Sequence, residues 1–229
     1  MNRISTVMKI HAKDKMMWFI VPWCFVLLPS FLINLLIGLI FRPENGIITG
    51  GLSSIFVMMM AVGMYTLTKS FPFALGLSIR RTDFFLGTVM MVAVVCLGIS
   101  VVLSMLSFVE GDWAWGVGLH FFNLPYLSDG SLVEQSWTLF ATAFHMTFLG
   151  FIIIAIFRRF GRTGLFVFFP VILLAGSVIG FLCTYFGWWT DIINWLTVHS
   201  AAQLGSWLFV VAVIYVLLSF LMIRKSTVV

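Results

Sequence analysis

Six long apolar segments, separated by short polar or basic stretches, dominate the pattern of hydrophobic and polar positions along the chain. An α-helix rises about 1.5 Å per residue, so roughly 20 apolar residues cross a hydrocarbon layer about 30 Å thick. Each of the six segments is long enough to do so. The pattern therefore predicts an all-α membrane protein, a single domain over residues 1–229, with spans at 17–41, 46–67, 84–108, 136–157, 164–186 and 204–223.

Composition supports the membrane class. Hydrophobic residues make up 62% of the chain and charged residues 9%, which is too apolar for the wettable surface of a soluble domain. The three cysteines all fall inside predicted spans, without the spacing of a metal site, and imply neither metal nor disulfide. The first span is expected to be retained, since no cleavage pattern of small residues follows a short apolar core.

Basic residues fall almost entirely on one of the two sides that six spans would define. Only Arg42 falls opposite the termini; the other 12 of the 13 lysines and arginines share their side. Six of the eight acidic residues lie on the side of Arg42: Glu44, Glu110, Asp112, Asp129, Glu134 and Asp191. The positive-inside rule then places both termini in the cytoplasm and the chain in the cell membrane as a multi-pass protein.

The chain has no nucleotide-binding motif of its own: neither GxxxxGK[ST] nor GxGxxG before a helix occurs. Its predicted spans hold no Asp, Glu, Lys or Arg in their central turns, and His145 is the one ionisable candidate there. A neutral histidine bonded to a neighbouring helix is favoured over a proton relay. These features favour a partner that supplies energy from ATP. Two alternatives stay open: a gradient-driven carrier using His145, and a membrane scaffold that transports nothing.

The longest predicted cytoplasmic connection, between the second and third spans, includes FPFALGLSIRRTDFFLG at residues 71–87. Pro72 suits the first turn of a short helix, and Gly76 permits a sharp turn after it. Ser78 or Thr82 is expected to cap the third span, with Asp83 near its positive N-terminal dipole. The segment is either a docking element or an interfacial loop whose arginines meet lipid phosphates.

The run FALGLSIRRTDFFLG resembles the segment between the second and third spans of exporter-type ABC transporter permeases. In that family a short apolar helix, the coupling helix, sits in a cleft of the ATPase subunit, followed by a glycine and paired basic residues. The resemblance implies that Phe73 to Leu77 form the docked helix, with Gly76 as its turn, and that Arg80, Arg81 and Asp83 anchor the third span. The full set of coupling residues expected on this basis is Phe71, Pro72, Phe73, Ala74, Leu75, Gly76, Leu77, Arg80, Arg81 and Asp83.

The same family has six spans, an N-terminal helix lying along the membrane and short outer helices between the fifth and sixth spans. Residues 1–16 resemble the first accessory, with one apolar face made by Ile4, Val7, Met8 and His11. Residues 188–204, too polar and too short to span, resemble the second. In that family the second and fifth spans border the translocation path. This makes Ser53, Ser54, Thr66 and Ser177 candidates to line the path.

The resemblance further implies partners and cargo. Two permease subunits, identical or homologous, would flank one path, and two ABC ATPase chains carrying ATP and Mg²⁺ would dock below. The chain itself would hold no cofactor and catalyse nothing. Spans without charge suit a hydrophobic or amphipathic substrate, such as a peptide, lipid or drug, and a bacterial peptide or antimicrobial exporter is one such system. Gly176 and Gly180 form a GxxxG pair on the fifth span that is expected to pack against a helix.

The outer connection over 109–135 is longer than a minimal link between the third and fourth spans. It carries Trp113, Trp115, His120, Phe121, Phe122 and Tyr126. A lid, a partner site and a substrate exit are possible roles, and an aromatic belt on an outer hairpin is the favoured interpretation. The irregular spacing of Glu110, Asp112 and His120 argues against a metal site.

Overall fold

The computed structural model describes residues 3–41, 46–124, 126–128 and 130–224, with the backbone alone at 112 and 113. Some residues used in the predictions lie outside this part: Met1, Asn2, Arg42, Glu44, Asp129, Lys225 and the side chains of Asp112 and Trp113. Within it, the α-helices are α1 Arg3–Lys13, α2 Leu28–Phe41, α3 Ser53–Tyr65, α4 Phe71–Gly76, α5 Arg81–Glu110, α6 Leu132–Tyr185, α7 Trp189–Val198 and α8 Ala201–Arg224.

Shorter elements connect these helices. Met16–Leu27 and Thr66–Ser70 are π-helical, and Gly50–Leu52 and Gly111–Gly116 are 3₁₀-helical. Two parallel two-residue strands complete the set, β1 Ile47–Ile48 and β2 Leu119–His120. The predicted all-α class is confirmed.

Five stretches among the described residues are long and apolar enough to cross a membrane. They are Arg3–Phe41, Gly50–Gly76, Arg81–Glu110, Leu132–Tyr185 and Ala201–Arg224. The fourth, α6, has 54 residues, and at about 1.5 Å per residue it would be more than twice as long as a bilayer core is thick. Gly161 interrupts it with φ 69° and ψ −163°, a left-handed conformation that glycine adopts without a Cβ clash. We call residues 132–160 the first arm of α6 and residues 162–185 the second arm.

The helix expected at the start of the 71–87 segment is present as α4, with Pro72 in its first turn. No break separates it from the preceding span, because the π-helical turns Thr66–Ser70 join α3 to α4. The predicted cap of the third span is wrong. Arg80 occupies the N-cap position of α5 in an extended conformation, without a side-chain capping bond, and Asp83 lies in the first turn as expected.

Glycines let the two central helices approach each other closely. A Cβ on Gly63 of α3 would collide with the backbone carbonyl of Thr147, and a Cβ on Gly150 of α6 would collide with that of Met60. This backbone contact places the first arm of α6 against α3, while α5 and α8 pack on its other sides. Phe148 and Phe151 are buried in the resulting core.

The N-terminal helix α1 packs on α5. Val7 and His11 are buried, Ile4 is half-buried, and the His11 Nε2 lies 2.9 Å from the Thr88 hydroxyl. A Cβ on Gly87 would come within 2.7 Å of the Val7 Cβ. The absence of a side chain at Gly87 therefore allows α1 to pack closely against α5. The predicted apolar face of α1 therefore contacts the protein's own third long helix.

The outer connection crosses over the end of the bundle. The second span was predicted to start at residue 46. Ile47 and Ile48 instead form β1, which pairs with β2, and the second long helix begins at Gly50. Phe121 and Phe122 are buried against Phe31, with ring centres 5.3 and 5.7 Å away. The favoured aromatic belt is wrong for these two rings, which fill a packed cluster. Short outer helices were expected over residues 188–204, and one short helix, α7, lies there. The rest of that stretch belongs to α8, which begins at Ala201, before the predicted start of the sixth span at 204.

Candidate functional site

Chain segments predicted to share the cytoplasmic side meet at one end of the bundle, which we call the basic end. The N-terminus of α5 contacts the C-terminus of α8, where Arg81 Nη1 donates to the carbonyl of Arg224 at 3.2 Å. Lys13 of α1 and Lys69 line one cleft together. The Arg158 guanidinium carbon lies 5.2 Å from the centre of the Phe71 ring. These contacts bring basic residues of α1, the second long helix, α5 and α6 to the same end of the described bundle.

At the basic end, α4 has a fixed face and a free face. Phe71 and Ala74 are 0% exposed, and the Phe71 ring meets Phe84 edge-on at 5.2 Å. Phe73 and Leu77 are 58% and 55% exposed. Two large apolar side chains, Phe73 on α4 and Leu77 directly after it, are therefore exposed, while the opposite face of α4 packs on the bundle. Such a surface is typical of a contact site for another protein.

Gly76, the last residue of α4, and the residues after it divide into exposed and internally bound ones. Gly76 is exposed, and a Cβ there would meet nothing within 4 Å; the left-handed residue of this turn is Ser78, with φ 59°. Arg80 is exposed. Arg81 is tied to the end of α8, since it also donates to the carbonyl of Ile223 at 3.3 Å. Of the two arginines predicted to act together as an anchor, Arg80 is exposed, whereas Arg81 hydrogen-bonds to the end of α8.

The four candidates for a translocation path are not brought together. Ser53 donates to the carbonyl of Gly50 at 2.6 Å, and Thr66 is buried and donates to that of Val62 at 2.8 Å. Ser177 lies exposed on the second arm of α6. The buried Ser54 hydroxyl has no hydrogen-bond partner among the described residues.

Of these four, Ser53 borders an apolar cleft of about 430 Å³ at the end of the bundle opposite the basic end. α3, α6 and α8 form its walls through Phe56, Thr142 and Leu208, and Tyr126 of the outer connection closes one side. The Tyr126 hydroxyl donates to the carbonyl of His199 at 2.6 Å, which fixes that ring. The cleft accommodates an apolar group, with hydroxyls at its edge.

Sequence reasoning missed the role of Glu110, which it considered only as a metal ligand. Its carboxylate is 0% exposed and accepts from Trp115 Nε1 at 2.6 Å and from the backbone N–H groups of Phe121 and Phe122 at 2.8 Å each. The N–H of Asn123 is a fourth donor. Glu110 therefore ties the outer connection to the end of α5. A single carboxylate at the end of a long apolar run, where it forms the last residue of the 30-residue helix α5, was the available signal.

His145 contacts the neighbouring helix α8. Its ring centre lies 5.3 Å from that of Tyr215, and its buried Nδ1 has no hydrogen-bond partner among the described residues. The ring packing on α8 agrees with the favoured interpretation of His145 as a packing residue, although that interpretation also expected a hydrogen bond.

No family model matches this sequence, and neither curated proteins nor solved structures show a significant match to the chain.

Proposed function

We propose that this chain is the transmembrane subunit of an ATP-driven exporter of the ABC permease type, with α4 as its coupling helix. The observation that carries the proposal is the exposure of Phe73 on α4, and of Leu77 directly after it, at the basic end, while Phe71 and Ala74 on the other face of α4 are buried. Phe73 and Leu77 line a cleft with two cations, Lys13 and Lys69, and one acid, Asp14. Exposed apolar side chains with this net positive charge beside them suit a partner with an apolar cleft and an acidic rim.

Contacts of α4 connect it to three long helices. It continues without a break from α3, Phe71 packs on Phe84 of α5, and Arg158 of α6 lies over the Phe71 ring. A partner that displaced α4 would therefore move the ends of all three helices. Because the chain carries no nucleotide-binding motif, ATP and Mg²⁺ belong to that partner, and the exporter's energy comes from it.

The second arm of α6 supports a pairing of two permease subunits. Its apolar side chains are exposed around the helix, among them Phe166 at 78% and Leu173 at 69%. A Cβ atom added to Gly176 or Gly180 would have no neighbour within 4 Å, so no helix among the described residues packs on this GxxxG pair. A second copy or a homologue would cover this arm, which counts as the fifth of six spans.

The cleft bordered by Ser53 supports the substrate class. Its apolar walls and few hydroxyls suit a hydrophobic or amphipathic molecule, such as a peptide, lipid or drug, moving from the cytoplasm or inner leaflet outwards. The cleft contains no charged group that would recognise an inorganic ion.

Capture of an ATPase from native membranes tests the proposal. Tagged wild-type chain is solubilised in mild detergent, and its partners are identified by peptides carrying nucleotide-binding motifs. We expect an ABC ATPase to be retained by wild type and lost with Phe73→Glu or Leu77→Glu. Arg80→Glu should weaken retention, since it reverses the one exposed cation of the predicted anchor.

Ser5→Glu is the matched control, because it adds one acid to an exposed position of α1, away from α4. It should retain the ATPase. Failure of wild type to retain any ATPase, or equal retention by Phe73→Glu and wild type, would reject α4 as the coupling helix.

A further inference from the structure

Three arginines line one cleft where α6 is interrupted. Arg158, Arg159 and Arg162 border a space of about 540 Å³, and Thr68, at the end of the second long helix, forms its far side. Arg158 and Arg159 precede the break at Gly161, and Arg162 follows it. The cleft therefore collects three of the chain's 13 basic side chains at the basic end.

The lining has three positive charges and no carboxylate. Arg158 is half-buried over the Phe71 ring, so part of its hydration is lost. Like charges brought together repel one another, and an anion placed among them relieves that repulsion. Guanidinium groups suit phosphate in particular, because their planar N–H donors bind two phosphate oxygens at once.

The remaining wall is apolar. Ile154 and Phe157 line the same cleft and lie about one helical turn apart. Both belong to the predicted fourth span, which ends directly before Arg158. A free phosphate ion would gain nothing from these side chains. A molecule with a phosphate head and an acyl chain would contact both parts of the wall.

We propose that this cleft binds an anionic phospholipid, with the arginines on the phosphate and Ile154 and Phe157 on the first methylenes of an acyl chain. The site goes beyond the proposed function, because transport by coupling to an ATPase does not require it. Since Arg158 also lies over Phe71, a bound headgroup would hold α4 against α6. The same contact links lipid composition to the position of α4.

Native mass spectrometry of delipidated, detergent-solubilised chain tests the proposal. Phosphatidylglycerol and phosphatidylcholine with identical acyl chains are titrated separately. We expect phosphatidylglycerol to bind about tenfold more tightly, a difference of about 1.4 kcal/mol, because its phosphate charge is uncompensated whereas the choline cation of phosphatidylcholine is repelled by the arginines. Arg162→Gln should weaken phosphatidylglycerol binding by about the same factor and phosphatidylcholine binding by less, because the choline cation already offsets the attraction of the arginines for that lipid's phosphate. Arg162 is exposed, so this variant should unfold at the same temperature as wild type.

Arg3→Gln is the matched control, removing one exposed cation of α1 outside the cleft. It should bind phosphatidylglycerol as wild type does. Equal affinity of wild type for the two lipids would overturn the proposal, as would equal weakening by Arg162→Gln and Arg3→Gln, which would show diffuse attraction to the basic end. Displacement of phosphatidylglycerol by inorganic phosphate in the same range as by a second anionic lipid would assign the cleft to free phosphate.

Discussion

The Arg158 guanidinium lies over the ring of Phe71, with the central carbon 5.2 Å from the ring centre. This pair joins the last turn of the first arm of α6 to the first residue of α4. A cation held over an aromatic face contributes about 0.5–2 kcal/mol, more as its hydration is lost. Phe71 is fully buried, so the pair belongs to the packed end of the bundle and positions α4.

Replacing the two phenylalanines of α4 should separate stability from partner binding. Phe71→Ala is expected to destabilise the chain by about 3–5 kcal/mol, because it removes a buried ring and the aromatic face that the Arg158 guanidinium contacts. Phe73→Ala should change stability by less than about 0.5 kcal/mol, since its ring is 58% exposed, yet it should weaken ATPase retention. Thermal unfolding in detergent measures the first effect and partner capture the second. Equal destabilisation by both variants would contradict the two-faced arrangement of α4.

Glu110→Gln should loosen the outer connection. The amide retains one acceptor oxygen, so some of the four N–H groups that now point at the carboxylate lose their partner, at a cost of about 1–3 kcal/mol. Backbone amides of Phe121 and Phe122 should then exchange hydrogen faster. Glu134→Gln is the control, because it alters an exposed carboxylate whose capping box with Ser131 a glutamine side chain can still form. Unchanged exchange at Phe121 in Glu110→Gln would mean that the carboxylate does not hold the loop.

Gly87→Val should release α1 from α5. The new side chain would overlap the Val7 side chain, and overpacking of this kind costs about 1–3 kcal/mol. Limited trypsin digestion at Lys9 and Lys13 reports the release, because cleavage follows the population of the open form. Gly98→Val is the matched control on the same helix, where an added Cβ meets nothing within 4 Å. Equal cleavage rates for the two variants would argue against the packing of α1 on α5.

Gly176→Ile should abolish self-association without destabilising the single chain. The glycine lies on the exposed second arm of α6, and a branched side chain would keep a second helix at a distance. Leu174→Ile is the control, since residue 174 lies on the opposite side of the helix from 176. Fluorescence energy transfer between labelled copies in vesicles measures the association. A Gly176→Ile chain that pairs as well as wild type would exclude the GxxxG face as the subunit contact.

Local features of the candidate site were predictable and its contacts were not. Pro72 marked the start of α4, and Gly76 was expected near its end, where α4 does end. The pairing of Arg158 with Phe71 had no signal, because the residues lie on different helices and their meeting depends on how those helices pack. Arg81 was expected beside Arg80 as part of one anchor. Its bonds to the carbonyls of Ile223 and Arg224 depend on where α8 ends in space.

The sequence by itself determined the all-α class, the long apolar helices and the grouping of basic residues, since length, hydropathy and charge are properties of short segments. Tertiary structure decided which side chains meet. It joined α3 to α4 without a break, turned the aromatic residues of the outer connection inward around Glu110, and left Phe73 and Leu77 exposed while burying Phe71. The physical reason is that burial depends on neighbours distant along the chain, and a pattern of apolar positions does not specify which of them will be covered.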